Sequence, residues 1–526
     1  MKSRQEMGEM DLCSNLWQFD GSSAMPTAIR VSEALLKSIS VVEENFSMVE
    51  AEPREKPMES GDYEADILFL GAGPAGYVGA IRAAKTSSRV VVVEKGNIGG
   101  TCLNIGCIPT KAMLSTAEVL ALAKRAEEFG IKIDGFTIDF SRVMERKDKI
   151  VQQLRKGIEF LFKKNGVVVV KGVGRLVDAH TVEVATEDGV RRITARCIII
   201  ATGSTPALLP VSGLDVGGAV WTSTEALAAE KIPESILIVG GGYVGLEFGY
   251  FFSVMGSKVT VVEMLPRIAG NMDAEVAKEL EKSLKRVGIN ILTESTVTSA
   301  EDIENGKKVT IRRQDGSEET AEFERVLLAV GRKPLTQGIG LEEAGIRTDR
   351  GFIVVNDRLQ TNVPNVYAAG DCIGEPMLAH AAFHEVLVAV ENCLGGDAML
   401  DNRAIPGVVF THPEVATVGM TEEKAREQFG DDILIGRFPF AANGKALGMG
   451  EREGFVKVIA GPKHAEILGV HIIGPHATDM ISEAVLAIQS EATLYDIEAS
   501  VHPHPTLSEP IHEAALDALG KPLHKS

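Results

Sequence analysis

The chain has 526 residues and a formal net charge of −19, and 45% of its residues are hydrophobic. This length exceeds what one compact core requires, so we predict roughly two to four domains. The acidic balance argues against nucleic acid or an anionic membrane as the main partner, and it suits a protein that docks on basic surfaces. We expect no membrane span, because no run of about 18 apolar residues occurs. Only two of the six cysteines are close in sequence, which excludes a disulfide framework.

The first 62 residues precede the first strong structural pattern. Residues 1–20 lack the apolar core of a signal peptide and contain acids that transit peptides avoid, so we expect a cytoplasmic protein. Apolar residues at helical spacing predict one amphipathic helix near residues 31–42. Residues 51–62 have the acidic, proline-containing composition of a linker. A flexible or weakly helical extension is the favoured interpretation, and a docking segment is the alternative.

A dinucleotide-binding pattern follows this extension. Ala65–Leu70 has the pattern of a buried strand and leads into three spaced glycines: Gly71, Gly73 and Gly76. The first glycine permits a tight turn, the second lets the backbone approach a pyrophosphate, and the third packs helix on strand. The phosphates lie at the helix N-terminus. A second strand ends in Glu94, which can accept hydrogen bonds from an adenosine ribose.

The segment 99–111 contains two cysteines, Cys102 and Cys107, with glycine or proline on both sides. If it forms the start of a helix, the two sulfurs can approach closely enough for a disulfide. The N–H groups and dipole of that start favour a thiolate at Cys107, and Lys111 lies one turn further along the same face. A structural disulfide is disfavoured without a secretion signal, and a zinc site lacks further ligands nearby. We therefore predict a redox-active dithiol and no metal.

The dinucleotide pattern returns in the middle of the chain. The second acid follows its first glycine at the same spacing as in the first unit, and it again ends a predicted strand. Two independent dinucleotide sites are the favoured interpretation. The alternative is one dinucleotide site and a second unit that repeats only the fold. The residues of the second pattern are Gly240, Gly242, Gly245 and Glu263. A further strand closes each unit, and the turn after it supplies candidate cofactor-binding residues. These are Thr202 and Gly203 in the first unit and Gly331 in the second.

The segment 99–111 closely resembles the active-site segment of the flavoprotein disulfide reductases. Its end, Ile108-Pro109-Thr110-Lys111, is of the lipoamide type, whereas the glutathione-reductase branch usually has Val-Pro-Lys-Lys. The resemblance extends from about Asp66 to His524. It implies an α/β chain with two Rossmann-like dinucleotide-binding domains, one for FAD and one for NAD, and a C-terminal α+β dimerisation domain.

The resemblance also implies where the domains lie. After the extension 1–62, it places the first part of the FAD-binding domain at 63–204 and the NAD-binding domain at 205–335. The FAD-binding or central domain resumes at 336–401, and the dimerisation domain spans 402–526. Residues 366–371 resemble the second flavin motif, in which Asp371 binds the ribityl chain. The segment 379–386 departs from the family because it lacks an expected lysine and acidic cluster.

By the same resemblance, Cys102 meets the substrate and Cys107 is the thiolate beside the flavin. Lys111 and Glu247 are implied to form an ion pair near the flavin N5.

His504 is implied to be the general base, with Glu509 as the carboxylate that orients it. A histidine near neutral pKa suits the removal of a thiol proton, and a carboxylate fixes its tautomer. In the family this pair comes from the second subunit, so each site requires a homodimer.

Together these features imply oxidation of protein-bound dihydrolipoyl groups to lipoyl, with electrons passing from dithiol to FAD to NAD. The implied partners are lipoyl domains of the E2 component of a 2-oxoacid dehydrogenase complex, or the H protein of glycine cleavage. Glu263 would repel the 2′-phosphate of NADP, which argues against a glutathione-reductase-like alternative. A non-catalytic docking subunit would not need the complete set of six catalytic residues.

Overall fold

The computed structural model describes residues 64–86 and 88–525. The helix and linker predicted within residues 1–62 therefore lie outside the described residues.

The first dinucleotide pattern forms a sheet with the strand order β3-β2-β1-β6-β5-β4. Strands β1, β2, β3 and β6 are parallel, and β1 is buried along nearly its whole length because helices pack on one face of the sheet and the antiparallel strands β4 and β5 pack on the other. The strands are β1 (Ala65–Leu70), β2 (Val90–Glu94), β3 (Val168–Lys171), β4 (Val173–Leu176), β5 (Thr181–Thr186) and β6 (Gly189–Ile200). The helices are α1 (Pro74–Ala84), α2 (Gly100–Ile105), α3 (Cys107–Lys124) and α4 (Phe140–Lys164), with a short 3₁₀ turn at Ala126–Phe129.

The second pattern forms a parallel sheet with the order β11-β10-β9-β15-β8, and an antiparallel sheet, β12-β13-β14, follows β11 in the chain. Its strands are β7 (Ser204–Pro206), β8 (Val220–Trp221), β9 (Ser235–Val239), β10 (Lys258–Val262), β11 (Asn290–Leu292), β12 (Ser295–Ile303), β13 (Gly306–Arg313), β14 (Glu318–Phe323), β15 (Arg325–Leu328) and β16 (Arg332–Pro334). Its helices are α5 (Ser223–Ala226), α6 (Tyr243–Met255) and α7 (Ala274–Arg286). β7 and β16 pair with each other at the two points where the chain enters and leaves this part.

The chain then returns to the first sheet. It contributes β17 (Thr348–Asp349), β18 (Phe352–Ile353), β19 (Val366–Ala368), a 3₁₀ turn at Asp371–Ile373 and α8 (Ala379–Cys393). β19 pairs in parallel with β6, and α8 packs on α1. The first sheet is therefore built from two segments that are far apart in sequence.

The last part is an antiparallel sheet in the order β20-β21-β24-β23-β22, with helices packed on it. Its strands are β20 (Gly407–Val409), β21 (Glu414–Gly419), β22 (Leu434–Pro439), β23 (Phe455–Ala460) and β24 (Ile467–Gly474). Its helices are α9 (Glu422–Phe429), α10 (Gly444–Gly448), α11 (Ala477–Gln489), α12 (Leu494–Ala499) and α13 (Glu509–Ala518), with a 3₁₀ turn at Phe440–Ala442. The predicted fold class is thus confirmed: two parallel dinucleotide-type sheets and a C-terminal α+β part.

One stretch of the described residues, Gly100–Lys124, is long and apolar enough by length and composition to cross a membrane. The helix is interrupted within this stretch at Gly106, between the end of α2 at Ile105 and the start of α3 at Cys107, and α3 packs on both α4 and α6. Apolar residues along α3 therefore contact protein, as they do in the core helix of a globular domain.

A disulfide joins Cys197 in β6 to Cys393, the last residue of α8, with their Cα atoms 6.1 Å apart. Both cysteines are buried. This bond was not predictable from the sequence, because the two residues are 196 positions apart. The bond ties the returning segment of the chain to the sheet that it completes.

A variant with both Cys197→Ala and Cys393→Ala should unfold at a lower denaturant concentration than the wild type. Removing a disulfide typically lowers the free energy of unfolding by about 2–4 kcal/mol, because the unfolded chain is no longer constrained by the closed loop. Equilibrium denaturation with and without a thiol reductant checks this. The reductant should destabilise the wild type and leave the double variant unchanged, and equal wild-type stability under both conditions would show that the bond does not form in solution.

Candidate active site

The first glycine pattern forms a tight turn between β1 and α1. Gly71 has φ of 111°, and a Cβ atom there would lie 2.3 Å from the carbonyl oxygen of Ala201. A side chain is therefore excluded at this position. A Cβ atom at Gly76 would lie 1.9 Å from the oxygen of Gly71, so the third glycine permits the close approach of helix and turn. Gly73 is the N-cap of α1 and has no side chain to cap it, so the first-turn N–H groups suit a phosphate.

Glu94 fixes the other side of this turn. Its Oε2 accepts the N–H of Ala72 at 2.7 Å, and its Oε1 accepts the N–H of Gly96 at 2.6 Å. A second glycine-rich loop approaches here, since a Cβ atom at Gly100 would lie 2.5 Å from the Cα of Gly73. Two glycine-rich loops that approach each other and a fixed carboxylate at the end of β2 fit the pyrophosphate and ribose of FAD.

The remaining flavin candidates come together from two distant segments. Thr202 and Gly203 follow β6, and the next residue, Ser204, is hydrogen-bonded to the carboxylate of Asp371. Arg332 donates from Nε to Ser204 Oγ at 2.6 Å and lies 3.5 Å from Asp371 Oδ2. The carboxylate of the second flavin motif is therefore held beside the turn that ends β6.

Glu385 supports the turn before Asp371. Its carboxylate is buried and accepts the N–H of Gly370 at 2.6 Å, where the backbone of Gly370 has φ of 82°. Burial raises the pKa of Glu385 to about 7. The sequence has no acidic cluster in residues 379–386, yet Glu385, the single acid there, orders the turn before Asp371.

The second glycine pattern repeats the geometry of the first. Gly240 has φ of 108°, and a Cβ atom there would lie 2.3 Å from the oxygen of Ala329. Glu263 accepts the N–H of Gly241 at 2.6 Å through Oε2 and the N–H of Leu265 at 2.8 Å through Oε1. Its carboxylate is therefore fixed at the end of β10 as that of Glu94 is at the end of β2.

The other candidates of the second site lie around the same turn. Gly242 is the N-cap of α6, and a Cβ atom at Gly245 would lie 2.2 Å from the oxygen of Gly240. Gly331 has φ of 111° and precedes β16. This set fits a second dinucleotide whose phosphates lie at the start of α6.

The dithiol segment consists of two helices, which corrects the prediction of a single helix start. α2 ends at Ile105, Gly106 takes a non-helical conformation, and Cys107 is the first residue of α3. A Cβ atom at Gly106 would lie 2.9 Å from the oxygen of Thr101, so the break is closely packed. It places Cys107 itself at a helix N-terminus, where a thiolate is stabilised.

Both cysteines are free thiols, and the thiol of Cys102 is hydrogen-bonded to Cys107. This hydrogen bond and the charge of Lys111 lower the pKa of Cys107 to about 7, against the opposing effects of burial and Glu247. The same hydrogen bond, together with burial, raises the pKa of Cys102. In the reduced state Cys107 therefore ionises at a lower pH than Cys102.

Lys111 and Glu247 form an ion pair between α3 and α6. The ammonium lies 2.9 Å from both carboxylate oxygens, and the side chain of Glu247 is only 6% exposed. The pair connects the helix that carries the dithiol with the helix of the second glycine pattern.

His504 and Glu509 form a second functional pair near the C-terminus. Nδ1 of His504 lies 2.7 Å from Glu509 Oε1, and Glu509 Oε2 accepts the N–H of Thr506 at 2.7 Å. Burial opposes ionisation of Glu509, but these hydrogen bonds hold its pKa below the usual range. The imidazole is 80% exposed, and no hydrogen bond or ion pair in the part of the chain that the structure describes joins it to the dithiol.

Two aromatic residues were not identified from the sequence as candidate site residues. Tyr77 lies near the dithiol, and Phe410 lies on the Lys111–Glu247 pair. Burial and the two nearby thiols raise the pKa of Tyr77, whose ring packs edge-on against Phe383 with centroids 5.9 Å apart. Phe410 contacts Lys111 and Glu247, although it lies about 300 and 160 residues after them in sequence. The only signal in the sequence is local: Tyr77 directly follows the third glycine of the first pattern.

Two family models match the chain. The model described as pyridine nucleotide-disulphide oxidoreductase matches residues 65–385, and that of the corresponding dimerisation domain matches residues 405–515.

Several relatives are similar over most of the chain. A dihydrolipoyl dehydrogenase of Geobacillus stearothermophilus is 43% identical over 470 residues, which cover 89% of this chain and 99% of the relative. A dihydrolipoyl dehydrogenase of Bacillus subtilis is 44% identical and covers 88% and 99%, respectively. A mitochondrial dihydrolipoyl dehydrogenase of Pisum sativum is 42% identical and covers 90% and 95%.

Solved structures with this architecture are also similar. LpdA from Mycobacterium tuberculosis has a TM-score of 0.80 at 28% identity and covers 85% of this chain and 98% of that one. The flavoprotein disulfide reductase RclA from Escherichia coli has a TM-score of 0.76 at 29% identity and covers 86% and 99%.

Proposed function

Because the chain belongs to the pyridine nucleotide-disulphide oxidoreductase family, we propose that it oxidises protein-bound dihydrolipoyl groups to lipoyl with NAD⁺ as acceptor. The observation that carries this proposal is the polarised dithiol: Cys107 at a helix N-terminus with a lowered pKa, and Cys102 as its hydrogen-bonded partner. Relatives that are 42–44% identical over nearly their whole length are named dihydrolipoyl dehydrogenase, which supports the proposal.

The enzyme uses FAD and NAD(H), as its family does. FAD, when bound, supplies the conversion between the two-electron chemistry of a thiol pair and the hydride that nicotinamide accepts. The proposed FAD ligands are Gly71, Gly73, Gly76, Glu94, Lys111, Thr202, Gly203 and Asp371. The proposed NAD ligands are Gly240, Gly242, Gly245, Glu263 and Gly331.

The dithiol acts by thiol–disulfide exchange. One substrate thiolate attacks the sulfur of Cys102 in the oxidised Cys102–Cys107 pair, and Cys107 departs as a thiolate. The second substrate thiolate then attacks the substrate sulfur of the mixed disulfide, which forms lipoyl and releases Cys102. The low pKa of Cys107 makes it the better leaving group, and two electrons have then moved from substrate to protein.

A base must remove the substrate thiol proton before the first attack, and His504 has this role in the proposal. Glu509 holds Nδ1, which fixes the tautomer and stabilises the imidazolium that forms. No hydrogen bond or ion pair among the described residues joins the pair to the dithiol of its own chain, and the matched dimerisation domain supports a homodimer. We assign His504 to the dithiol of the partner subunit.

The domain limits, the partner and the location form the rest of the proposal. The limits are those implied by the sequence: FAD-binding at 63–204 and 336–401, NAD-binding at 205–335, and dimerisation at 402–526. The substrate is a lipoyl domain of an E2 component, or the H protein of glycine cleavage, in the cytoplasm.

Glu263 should make NAD the preferred nicotinamide cofactor, because its fixed carboxylate hydrogen-bonds a ribose 2′-OH and repels a 2′-phosphate. Glu263→Ala should reduce kcat/KM for NAD⁺ by about 10-fold or more and narrow the NAD/NADP preference, since charged hydrogen bonds are worth about 1.5–3 kcal/mol. Arg267→Ala is the matched control. Arg267 is paired with Glu423 at 2.8 Å, so its loss should leave the preference unchanged. A wild-type kcat/KM that is higher for NADP would contradict the assignment.

Steady-state turnover with two thiol substrates and two cofactors tests the proposed function. The purified protein should contain FAD and should reduce NAD⁺ with dihydrolipoamide, whereas glutathione with NADP⁺/NADPH should support little turnover in either direction. A glutathione disulfide reductase that prefers NADPH, or a protein without flavin, would each refute the proposal.

A further inference from the structure

The Lys111–Glu247 ion pair joins two parts of the chain, because Lys111 lies on α3 and Glu247 on α6. Lys111 is 31% exposed, and a lysine on its flexible four-carbon stem loses rotamer freedom when it is fixed. The pair also sets the charge next to the dithiol, because Lys111 lowers the pKa of Cys107 and Glu247 raises it.

One residue contacts both ends of this ion pair. The ammonium of Lys111 lies 4.3 Å from the centroid of the Phe410 ring, and the backbone N–H of Phe410 donates to Glu247 Oε1 at 3.2 Å. The ring is partly buried against the core that contains residues of α6. Phe410 directly follows β20, and it lies within the range matched by the dimerisation-domain family model.

The two contacts constrain different parts of the pair. The ring face attracts the ammonium electrostatically, which fixes the side chain of Lys111 without neutralising its charge. The N–H satisfies one lone pair of a nearly buried carboxylate, which would otherwise be costly to bury. A substitution can remove the first contact and leave the second, because the backbone N–H is common to all residues except proline.

We propose that Phe410 is a positioning residue of the redox centre: its ring holds the Lys111 ammonium and its N–H holds the Glu247 carboxylate. The C-terminal part of the chain thereby positions the two charges beside the dithiol. This inference rests on the proposed function for the role of the dithiol, but the contacts themselves do not depend on the substrate.

The pH dependence of Cys107 alkylation by iodoacetamide tests this proposal, because only the thiolate reacts. The experiment uses FAD-loaded protein with Cys102→Ser, which prevents disulfide closure and keeps a hydrogen-bond donor, and peptide mass spectrometry identifies Cys107. The groups whose charge or hydrogen bonding affects Cys107 in this experiment are residue 102, Lys111, Glu247 and Tyr77.

Phe410→Leu should raise the pH midpoint of Cys107 alkylation, because the ammonium is held less firmly near the thiolate. The shift should correspond to an acid dissociation constant of Cys107 about threefold lower than that of the protein with Phe410. Phe410→Tyr keeps the ring face and should retain the wild-type midpoint. In a Lys111→Met background, Phe410→Leu should produce no further change, since the ring then has no cation to hold.

Three results would overturn the proposal. Phe410→Leu could leave the alkylation midpoint unchanged, Phe410→Tyr could shift it as much as Phe410→Leu does, or the shift caused by Phe410→Leu could persist in the Lys111→Met background. The last would indicate a general effect on packing, which thermal unfolding of the same variants would show independently. Dihydrolipoamide turnover of the wild type is measured separately. Its absence would refute the proposed function, whereas the alkylation series alone decides the role of Phe410.

Discussion

A Cys102→Ser variant is expected to lose dihydrolipoamide turnover by about 10⁴-fold or more, because the sulfur that the substrate attacks is gone. Its long-wavelength thiolate–flavin absorbance should nevertheless persist. Cys107 keeps its position at the start of α3 and its neighbour Lys111, and serine still donates a hydrogen bond. Turnover and the absorption spectrum of the same preparation measure both effects.

Cys107→Ser is the matched variant. It should also lose turnover, but it should show no thiolate–flavin absorbance at any pH. In the two-electron-reduced wild type this absorbance should weaken as the pH falls through about 7, because the thiolate with the lowered pKa is then protonated. If Cys102→Ser lost the absorbance and Cys107→Ser kept it, the two roles would have to be exchanged.

A His504→Gln variant should lower dihydrolipoamide turnover by about 10²–10⁴-fold, the usual contribution of a general base. Glutamine can still occupy the position next to Glu509 but cannot accept the substrate proton. Reduction of the enzyme by NADH should change little, because that half-reaction requires no thiol base. Stopped-flow measurement of both half-reactions separates these effects, and an equal loss in both would indicate a structural defect.

A mixed dimer tests whether His504 serves the partner subunit. One chain has Cys102→Ser and the other has His504→Gln, and the two homodimers are the controls. One of the two sites then combines an intact dithiol with an intact base, so activity should return only in the mixed dimer. If the mixed dimer stays as inactive as its parents, His504 acts within its own chain or is not the base.

Local patterns in the sequence were sufficient for the cofactor-binding turns. At Gly71 and Gly240 a side chain would collide with the backbone of a neighbouring strand, and at the ends of β2 and β10 an acid is hydrogen-bonded to the turn. These requirements fall on particular residue types at a fixed spacing, three glycines and a later acid, so their signature remains visible in one sequence. The family and the fold class followed from the resemblance that begins at the segment 99–111, and both were confirmed, whereas the roles of the site residues stay predictions.

Contacts between distant segments could not be predicted in this way. The Cys197–Cys393 bond and the contact of Phe410 with Lys111 depend on how α8 and β20 pack against the first sheet and α6. Neither has a characteristic spacing in the sequence. The break at Gly106 was also missed, because the same residues are compatible with one continuous helix until the packing around Thr101 is known.

The most direct test of the proposed electron path is an anaerobic single-turnover measurement. FAD-loaded enzyme is mixed with one equivalent of dihydrolipoamide per protomer, one portion is trapped with iodoacetamide, and NAD⁺ is added to the rest. Before NAD⁺ is added, the reduced Cys102–Cys107 pair of the wild type should be alkylated, whereas enzyme without dihydrolipoamide should resist alkylation because its dithiol is oxidised. About one NADH per protomer should then form, and Cys102→Ser should form none. Equal NADH formation by the wild type and by Cys102→Ser would show that the electrons do not pass through this dithiol.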